Sequence, residues 1–520
     1  GRGNELPGCG SFGSFLEWNR SFSKGLCMQI KVYNTLTRQK EDFQTLQPGK
    51  VGMYVCGPTV YKPSHVGHMV GPVIFDTIKR YLSYLDYQVN FVVNITDIDD
   101  KLIVESKKQN TTVTELAERV TADYLANLKK LQVTGIDHFP RATHYIGEIQ
   151  SMIGGLIEKG FAYASMGDVY FDVSKDEDYG KLCNRDPEQL EAGARIEINE
   201  RKRNPGDFAL WKGAKPGEPM WDSPWGSGRP GWHIECSAMS MKLLGESFDM
   251  HGGGLDLQFP HHENELAQSE SFTGKTFARY WLHNGLMKTG DKKMSKSEGN
   301  EIVVTELLKK HQPETLRYLL LTSHYRSPIE YSEDRLLELR RSLESFYRFF
   351  DRVKRISGNS FYQVIGKLKH QPTPKGLSAF LGEIYKLRDA FLDAFSDDFN
   401  SGGALGTLHE FLNALNRFAD QSKIETPEAN PEAKVEFLAA VSVFREITQI
   451  LGLFLEPQEA ATAQGNNQLM DGVMTLLIEI RSEARKAKNF ALADLVRKRL
   501  TELNITLEDR PGETGWRVGP

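Results

Sequence analysis

Cysteine is sparse in this chain: five residues (Cys9, Cys27, Cys56, Cys183 and Cys236) among 520, odd in number and widely scattered. That pattern excludes a disulfide framework and points to a reducing compartment, where a thiolate metal site survives. Long apolar runs are missing too. Even the greasiest stretch, residues 435–455, is interrupted by Glu436, Arg445 and Glu446, so a soluble protein with no membrane partner is expected. Nor is there an excess of positive charge: the formal net charge is −5. A strongly basic nucleic-acid coat is excluded, and any polyanion must be met by local patches.

What the chain does have is length and an ordinary globular composition, enough for about three or four domains. Residues 1–27 are rich in glycine, serine and phenylalanine and show no sustained period. They read as a disordered tail, because Glu5 and Glu17 spoil the acid-poor composition of an organelle transit peptide. A cytoplasmic location is expected, with mitochondrion or plastid as the alternative that such an extension keeps open. An alternating strand pattern starts after Met28. Residues 51–56 read as a buried strand, Gly57-Pro58-Thr59 as a turn, and His65-Val66-Gly67-His68 as the lead into a helix ending near Tyr84.

This strand, loop and helix unit opens a doubly wound sheet and sets the loop at the carboxyl edge, where ligands bind. A helix start suits phosphate. His65 and His68 can donate to phosphate oxygens, and Gly67 leaves room for a flat base; two solvated histidines on a surface helix would look the same in sequence. Residues 88–94 read as a second strand. The acids that follow, in Thr96-Asp97-Ile98-Asp99-Asp100-Lys101, either cap the next helix or face an amine substrate. Residues 137–225 read as an irregular region with short strands, inserted in the core fold.

The densest stretch is 251–265, HGGGLDLQFPHHENE: a flexible glycine loop, a lone acid, then a helix after Pro260 on which His261 and Glu265 share one face. A metal bridging them needs further ligands, and Cys56 and Cys236 have the right surroundings; capping histidines and ordinary buried thiols are the plainer alternative. Residues 292–300, KKMSKSEGN, read as a solvated loop, or as mobile point charges for a leaving pyrophosphate. From Ser332 the chain turns helical, with Leu336, Leu339, Leu343, Phe346 and Phe350 on one stripe and Arg340, Arg341, Arg348, Arg352, Lys354 and Arg355 elsewhere. That is a bundle helix whose arginines could also touch a phosphate backbone. Residues 457–520 read as a polar linker and a compact module of basic helices and a small hairpin.

Together these motifs resemble the cysteinyl-tRNA synthetases, a class I aminoacyl-tRNA synthetase family, over nearly everything after Met28. The signatures stand as His65-Val66-Gly67-His68, with valine for the more usual isoleucine, and Lys293-Met294-Ser295-Lys296-Ser297. More specific are Cys56-Gly57-Pro58-Thr59, NITDIDDK at 94–101, DFALWK at 207–212, GWHIEC at 231–236, and 251–265. Glu298 departs from the usual apolar residue, and the first 27 residues have no counterpart. The resemblance implies an α/β fold: a Rossmann-like, doubly wound parallel sheet over 28–331 with an inserted connective domain (about 137–225). A tRNA-binding helical bundle (332–456) and a small anticodon-binding module (457–520) follow.

It also implies activation of L-cysteine by ATP, used with Mg2+, to cysteinyl-adenylate, and transfer to tRNA(Cys) by a monomer. Zinc, one per chain, would be held by Cys56, Cys236, His261 and Glu265, with the substrate sulfur completing its shell. His65 and His68 would hold the ATP phosphates beside Gly67. Lys293 and Lys296 would stabilise the transition state, Lys296 contacting ATP directly, and Gly253 and Asp256 would form a ribose-binding turn. Gly57, Thr59, Thr96, Trp232 and His251 would line the cysteine pocket. Ligases joining cysteine to a sugar amine share the zinc pocket and both signatures, but have little use for the chain from Ser332 to Pro520.

Overall fold

The structure, a computed structural model, describes residues 28–184, 200–290, 292–293, 301–457, 467–510 and 513–519. The N-terminal tail, Lys296 with most of the 292–300 loop, and most of the linker after residue 456 lie outside the described residues. The chain divides into two compact units, Gly1–Leu455 and Glu456–Pro520.

Four parallel strands form the heart of the first unit. In chain order they are β1 (Lys50–Val55), β2 (Gln88–Val93), β3 (Phe248–Gly254) and β4 (Ala278–Asn284), and the sheet runs β4-β3-β1-β2. β1 and β3 are nearly continuous apolar or small runs, as strands covered on both faces must be. Helix α1 (Gly67–Tyr84) connects β1 to β2, α2 (Trp232–Leu244) leads into β3, and α3 (Glu263–Thr273) lies between β3 and β4. Tyr54 and Val55 on β1 stand opposite His251 and Gly252 on β3. The side-by-side carboxyl ends of these two strands carry the site described below.

Two features of residues 251–265 differ from the sequence reading. The glycines are not a flexible loop; His251 to Gly254 are the last residues of β3. Gly252 is required by closeness, since a Cβ there would sit 2.2 Å from the Phe75 ring of α1. The helix begins at Glu263 rather than at Pro260, after a kinked turn in which Phe259 is extended (φ −138°, ψ 133°). A residue before proline is pushed out of the helical region, which accounts for the delay. His261 and Glu265 still meet one turn apart.

The short strands expected in the insertion are present and join into one sheet. The insertion contains a helix, Ile146–Glu158, and an antiparallel sheet of Ala162–Ser165, Asp168–Phe171, Phe208–Gly213 and Gly228–Pro230 in chain order. Its last strand lies beyond residue 225. Phe171, Phe208, Leu210 and Trp211 pack against Ile149 and Ile153 to give it a core. The strands are three to six residues long, too short to display a period.

The acidic run after β2 serves this insertion. Asp99 caps the helix Asp100–Lys108 by accepting from the Lys101 backbone N–H at 2.8 Å. Asp97 accepts from the Thr143 amide and hydroxyl at 3.0 and 2.6 Å. Asp100 pairs with Lys212 at 2.7 Å and with Arg229. Asp99 is thus the helix cap that the sequence allows, while Asp97 and Asp100 are held by side chains and backbone further along the chain.

Four helices, Glu333–Ser357, Ala379–Ser396, Ser401–Gln421 and Pro431–Leu451, complete the first unit. The stripe read from sequence is buried at Leu336, Leu339, Leu343, Phe346 and Phe350. Its basic companions are not all outward. Arg352 pairs with Asp420 and Glu425, and Arg355 with Glu425, within the bundle, so these two are engaged by the protein itself.

The second unit pairs two helices, Asn467–Lys486 and Phe490–Glu502, with a hairpin of Ile505–Arg510 and Glu513–Val518 around Met474, Leu500, Ile505 and Leu507. Arg481 holds Asp509 through two bonds of 2.7 and 2.8 Å. The Arg481 hydrogen bonds pull the Asp509 carboxyl from 3.8 to about 2. A depressed carboxyl stabilises the fold above its unfolded value and loses that contribution as pH falls through its folded one. Hydrogen-exchange protection in the hairpin, the intrinsic rate at each pH divided by the observed rate, should therefore fall between pH 3.8 and about 2, and Asp509→Asn should flatten that slope. An unchanged slope would show that the pair contributes nothing measurable.

Candidate active site

Cys56 directly follows β1 and keeps the ladder, its amide donating to the Gly252 carbonyl at 3.1 Å. Cys236 lies in the second turn of α2, and His261 and Glu265 flank the start of α3. These four side chains, from three separate segments, place their ligand atoms within 4.8 Å of one another. The two sulfurs are 3.8 Å apart and both cysteines are free thiols. Tetrahedral zinc with bonds to sulfur of about 2.3 Å puts two thiolates about 3.8 Å apart, so the donor set fits that ion. Glu265 is central: its Oε1 lies 3.2 Å from the Cys56 sulfur and 2.9 Å from His261 Nε2.

The charges in this cluster are mutually dependent. Burial works against ionising Glu265, but His251 and His261 hold its carboxyl well below the ordinary range. Burial likewise raises the Cys236 thiol, and the hydrogen bond from Cys56 with the neighbouring His261 brings it down to about 6. Cys236 is thereby predisposed to the thiolate form a soft metal takes. The surrounding histidines fix the geometry: His233 Nδ1 lies 2.9 Å from His261 Nδ1, and the Trp232 ring stacks on His261 with centroids 4.3 Å apart.

Beside the cluster opens a cavity of about 340 Å³. Of the residues expected from sequence, Cys56, Gly57, Thr59 and Trp232 line it, as do His65, Gly67, His68, Gly253 and Asp256. Gly57 has no alternative at its position, because a Cβ would fall 1.9 Å from the Asn94 carbonyl. α1 starts here without a side-chain cap or a first-turn acid; the Val66, His68 and Met69 N–H groups donate to the Ile302, His65 and Val66 carbonyls, so what the helix offers an anion is the positive end of its dipole. The His65 and His68 rings stack at 3.6 Å. Burial, His65 and Lys101 lower His68 to about 3, and burial lowers His65. Both are therefore neutral rings near pH 7, each offering one N–H rather than a charge.

Two expected lining residues stand elsewhere. Thr96 is buried and donates to Glu235 at 3.1 Å. His251 is wholly buried behind the carboxylate, with Nε2 2.9 Å from Glu265 Oε2. Lys293 is placed only as part of a short strand, Lys292–Lys293, paired with Met287–Thr289. Tyr61, Lys101, Leu286 and Glu301 also line the cavity and were not singled out from sequence. Lys101 ends a motif that was, and the others carry no signal in one sequence.

Comparison with known proteins bears on this arrangement. The family model for the class I (C) tRNA synthetase catalytic domain matches residues 42–341, and that for the DALR domain matches 390–456. A cysteine–tRNA ligase of Moorella thermoacetica is 44% identical over 486 residues, covering 94% of this chain and 99% of that one. One from Thermococcus onnurineus is 44% identical over 490 residues, covering 94% and 99%. Among solved structures, Mycobacterium tuberculosis methionyl-tRNA synthetase in complex with methionyl-adenylate aligns with a TM-score of 0.57 at 16% identity, over 77% of this chain and 90% of that one. That likeness concerns the fold.

Proposed function

The chain belongs to the cysteine–tRNA ligases among the class I aminoacyl-tRNA synthetases, and from that premise we propose that it activates L-cysteine with ATP and transfers it to tRNA(Cys), selecting the substrate by its sulfur. The observation that carries the selection step is the convergence of Cys56, Cys236, His261 and Glu265 on one point at the cavity edge. Zinc bound there supplies a soft Lewis acid that favours a substrate thiolate over a serine hydroxyl.

The remaining work falls to the chain's own residues. Adenylate formation is in-line attack by the substrate carboxylate on the α-phosphorus of ATP, with pyrophosphate leaving, so no side-chain nucleophile is required. The uncapped start of α1, with single N–H donors from His65 and His68, receives phosphate oxygens. Asp256 accepts from the ribose hydroxyls, and Gly253 lets the sugar approach the backbone. Thr59 and Trp232 close the cavity beside the metal ligands. Lys293 and Lys296 bring positive charge to the departing pyrophosphate, whose Mg2+ arrives with ATP. The helices after Ser332 and the small C-terminal unit meet the tRNA, and the protein acts as a cytoplasmic monomer in a reducing compartment.

Zinc analysis of the purified chain, with cysteine-dependent ATP–pyrophosphate exchange and charging of tRNA by radiolabelled cysteine, tests the proposal. About one zinc per chain with both activities is expected. Exchange without charging of any tRNA, or charging of a sugar amine instead, would overturn it.

A further inference from the structure

Tyr54 lies two residues before Cys56 on β1, and alternate residues of an extended chain face the same side. Its register partner on β3 is His251, so Tyr54, Cys56 and His251 share one face of the sheet. The ring meets His251 edge-on at 5.4 Å and packs in the same apolar cluster as Cys236, Phe248 and Trp281. Tyr54 is wholly buried, its hydroxyl meets no group in ordinary hydrogen-bond geometry among the described residues, and the sulfur within its reach is that of Cys236. Buried hydroxyls without partners are uncommon and cost stability. Burial and the neighbouring Cys236, Cys56 and Glu265 all oppose ionisation of the hydroxyl, so it stays a donor.

A thiol is a weak acceptor and a metal-bound thiolate a strong one. We infer that Tyr54 is a positioning residue of the metal centre, its hydroxyl donating to the Cys236 sulfur when that sulfur is a metal-bound thiolate. The inference rests on the zinc reading given above. The bond favours the anionic ligand and fixes its orientation, as outer hydrogen bonds to metal ligands do. It also explains why a polar atom is retained in an apolar wall where phenylalanine would pack equally well.

Tyr54→Phe in the full chain separates this role from packing. The zinc dissociation constant, from chelator competition, should rise about tenfold or more. The sulfur-to-metal charge-transfer band of the cobalt(II)-loaded protein should shift. The metal-free variant should be at least as stable to urea as the metal-free wild type, because it no longer buries a hydroxyl without a partner. An unchanged zinc constant and cobalt band would overturn the inference. Weaker zinc binding with an unshifted band would also overturn it, assigning the hydroxyl to Glu265, and so would a less stable metal-free variant. Failure of the wild type itself to bind zinc would instead sink the reading on which the inference rests.

Discussion

Cys236→Ser is expected to leave a folded protein with little or no zinc and cysteine-dependent exchange reduced on the order of 10³-fold or more, because an essential metal ligand has been replaced by a group that stays protonated. Cys236 is 1% exposed and its sulfur lies 3.8 Å from that of Cys56. The thiol is set to ionise at about 6, whereas a serine hydroxyl remains neutral at any working pH. The substitution is nearly isosteric. Its cost to folding is that of a poorly partnered buried hydroxyl, roughly 1–3 kcal/mol, which a domain of this size tolerates. Residual exchange should discriminate less between cysteine and serine, since selection by sulfur depends on the metal. Cys183→Ser is the control: that half-buried thiol contacts the Gly180 carbonyl at 3.5 Å and is not among the converging ligand groups. Full zinc content and wild-type exchange in Cys236→Ser would remove thiol selection by metal from the mechanism.

The sequence made the elements of this site legible wherever chemistry is concentrated in a few adjacent residues. β1, α1, β2 and the ligand-bearing segments were foreseen to within a few positions, because buried strands are short apolar runs and helix starts carry recognisable turns. It was less informative where a residue's role depends on a partner far along the chain. The resemblance puts His251 in the cysteine pocket, yet the register of β3 on β1 sets it beside Glu265, with Nε2 on the carboxylate. Thr96 lies next to Asp97 in a motif with obvious chemistry, but its hydroxyl is taken by Glu235, 139 residues away. Arg352 and Arg355 looked like an outward basic face until the loop carrying Glu425 was folded against them. Tyr54 gave no signal, since a tyrosine in a buried strand is ordinary until its hydroxyl is found to lack a partner. Periodicity assigns a face; it does not assign which distant polar group meets that face.

The deepest of these distant pairings should also be the most costly to break. Arg317, on the helix Pro313–Leu321, is 1% exposed and spends its guanidinium on four partners in three segments. Its Nη2 donates to Asp76 and Thr77 of α1 at 2.9 and 3.1 Å, Nη1 to the Leu131 carbonyl at 2.8 Å, and Nε to the Leu451 carbonyl at 2.9 Å. Gly452, at φ +63°, is confined by the same group, since a Cβ there would lie 2.4 Å from Nη2. Arg317→Met should destabilise the first unit by about 3–5 kcal/mol in urea unfolding, because it removes the buried charge partner of Asp76 and leaves two buried backbone carbonyls without their donor. Either single variant already removes the Arg317–Asp76 pair, so although Asp76 also holds Arg80 at 2.8 Å and the Gly135 amide at 2.9 Å, Arg317→Met with Asp76→Asn should cost less than the sum of the two single variants. Simple additivity would mean that the pair does not act as a unit. Because Asp76 lies on the helix that begins at Gly67 and His68, the same variant should raise the KM for ATP in exchange more than the KM for cysteine, whose expected ligands are carried by β1, α2 and α3.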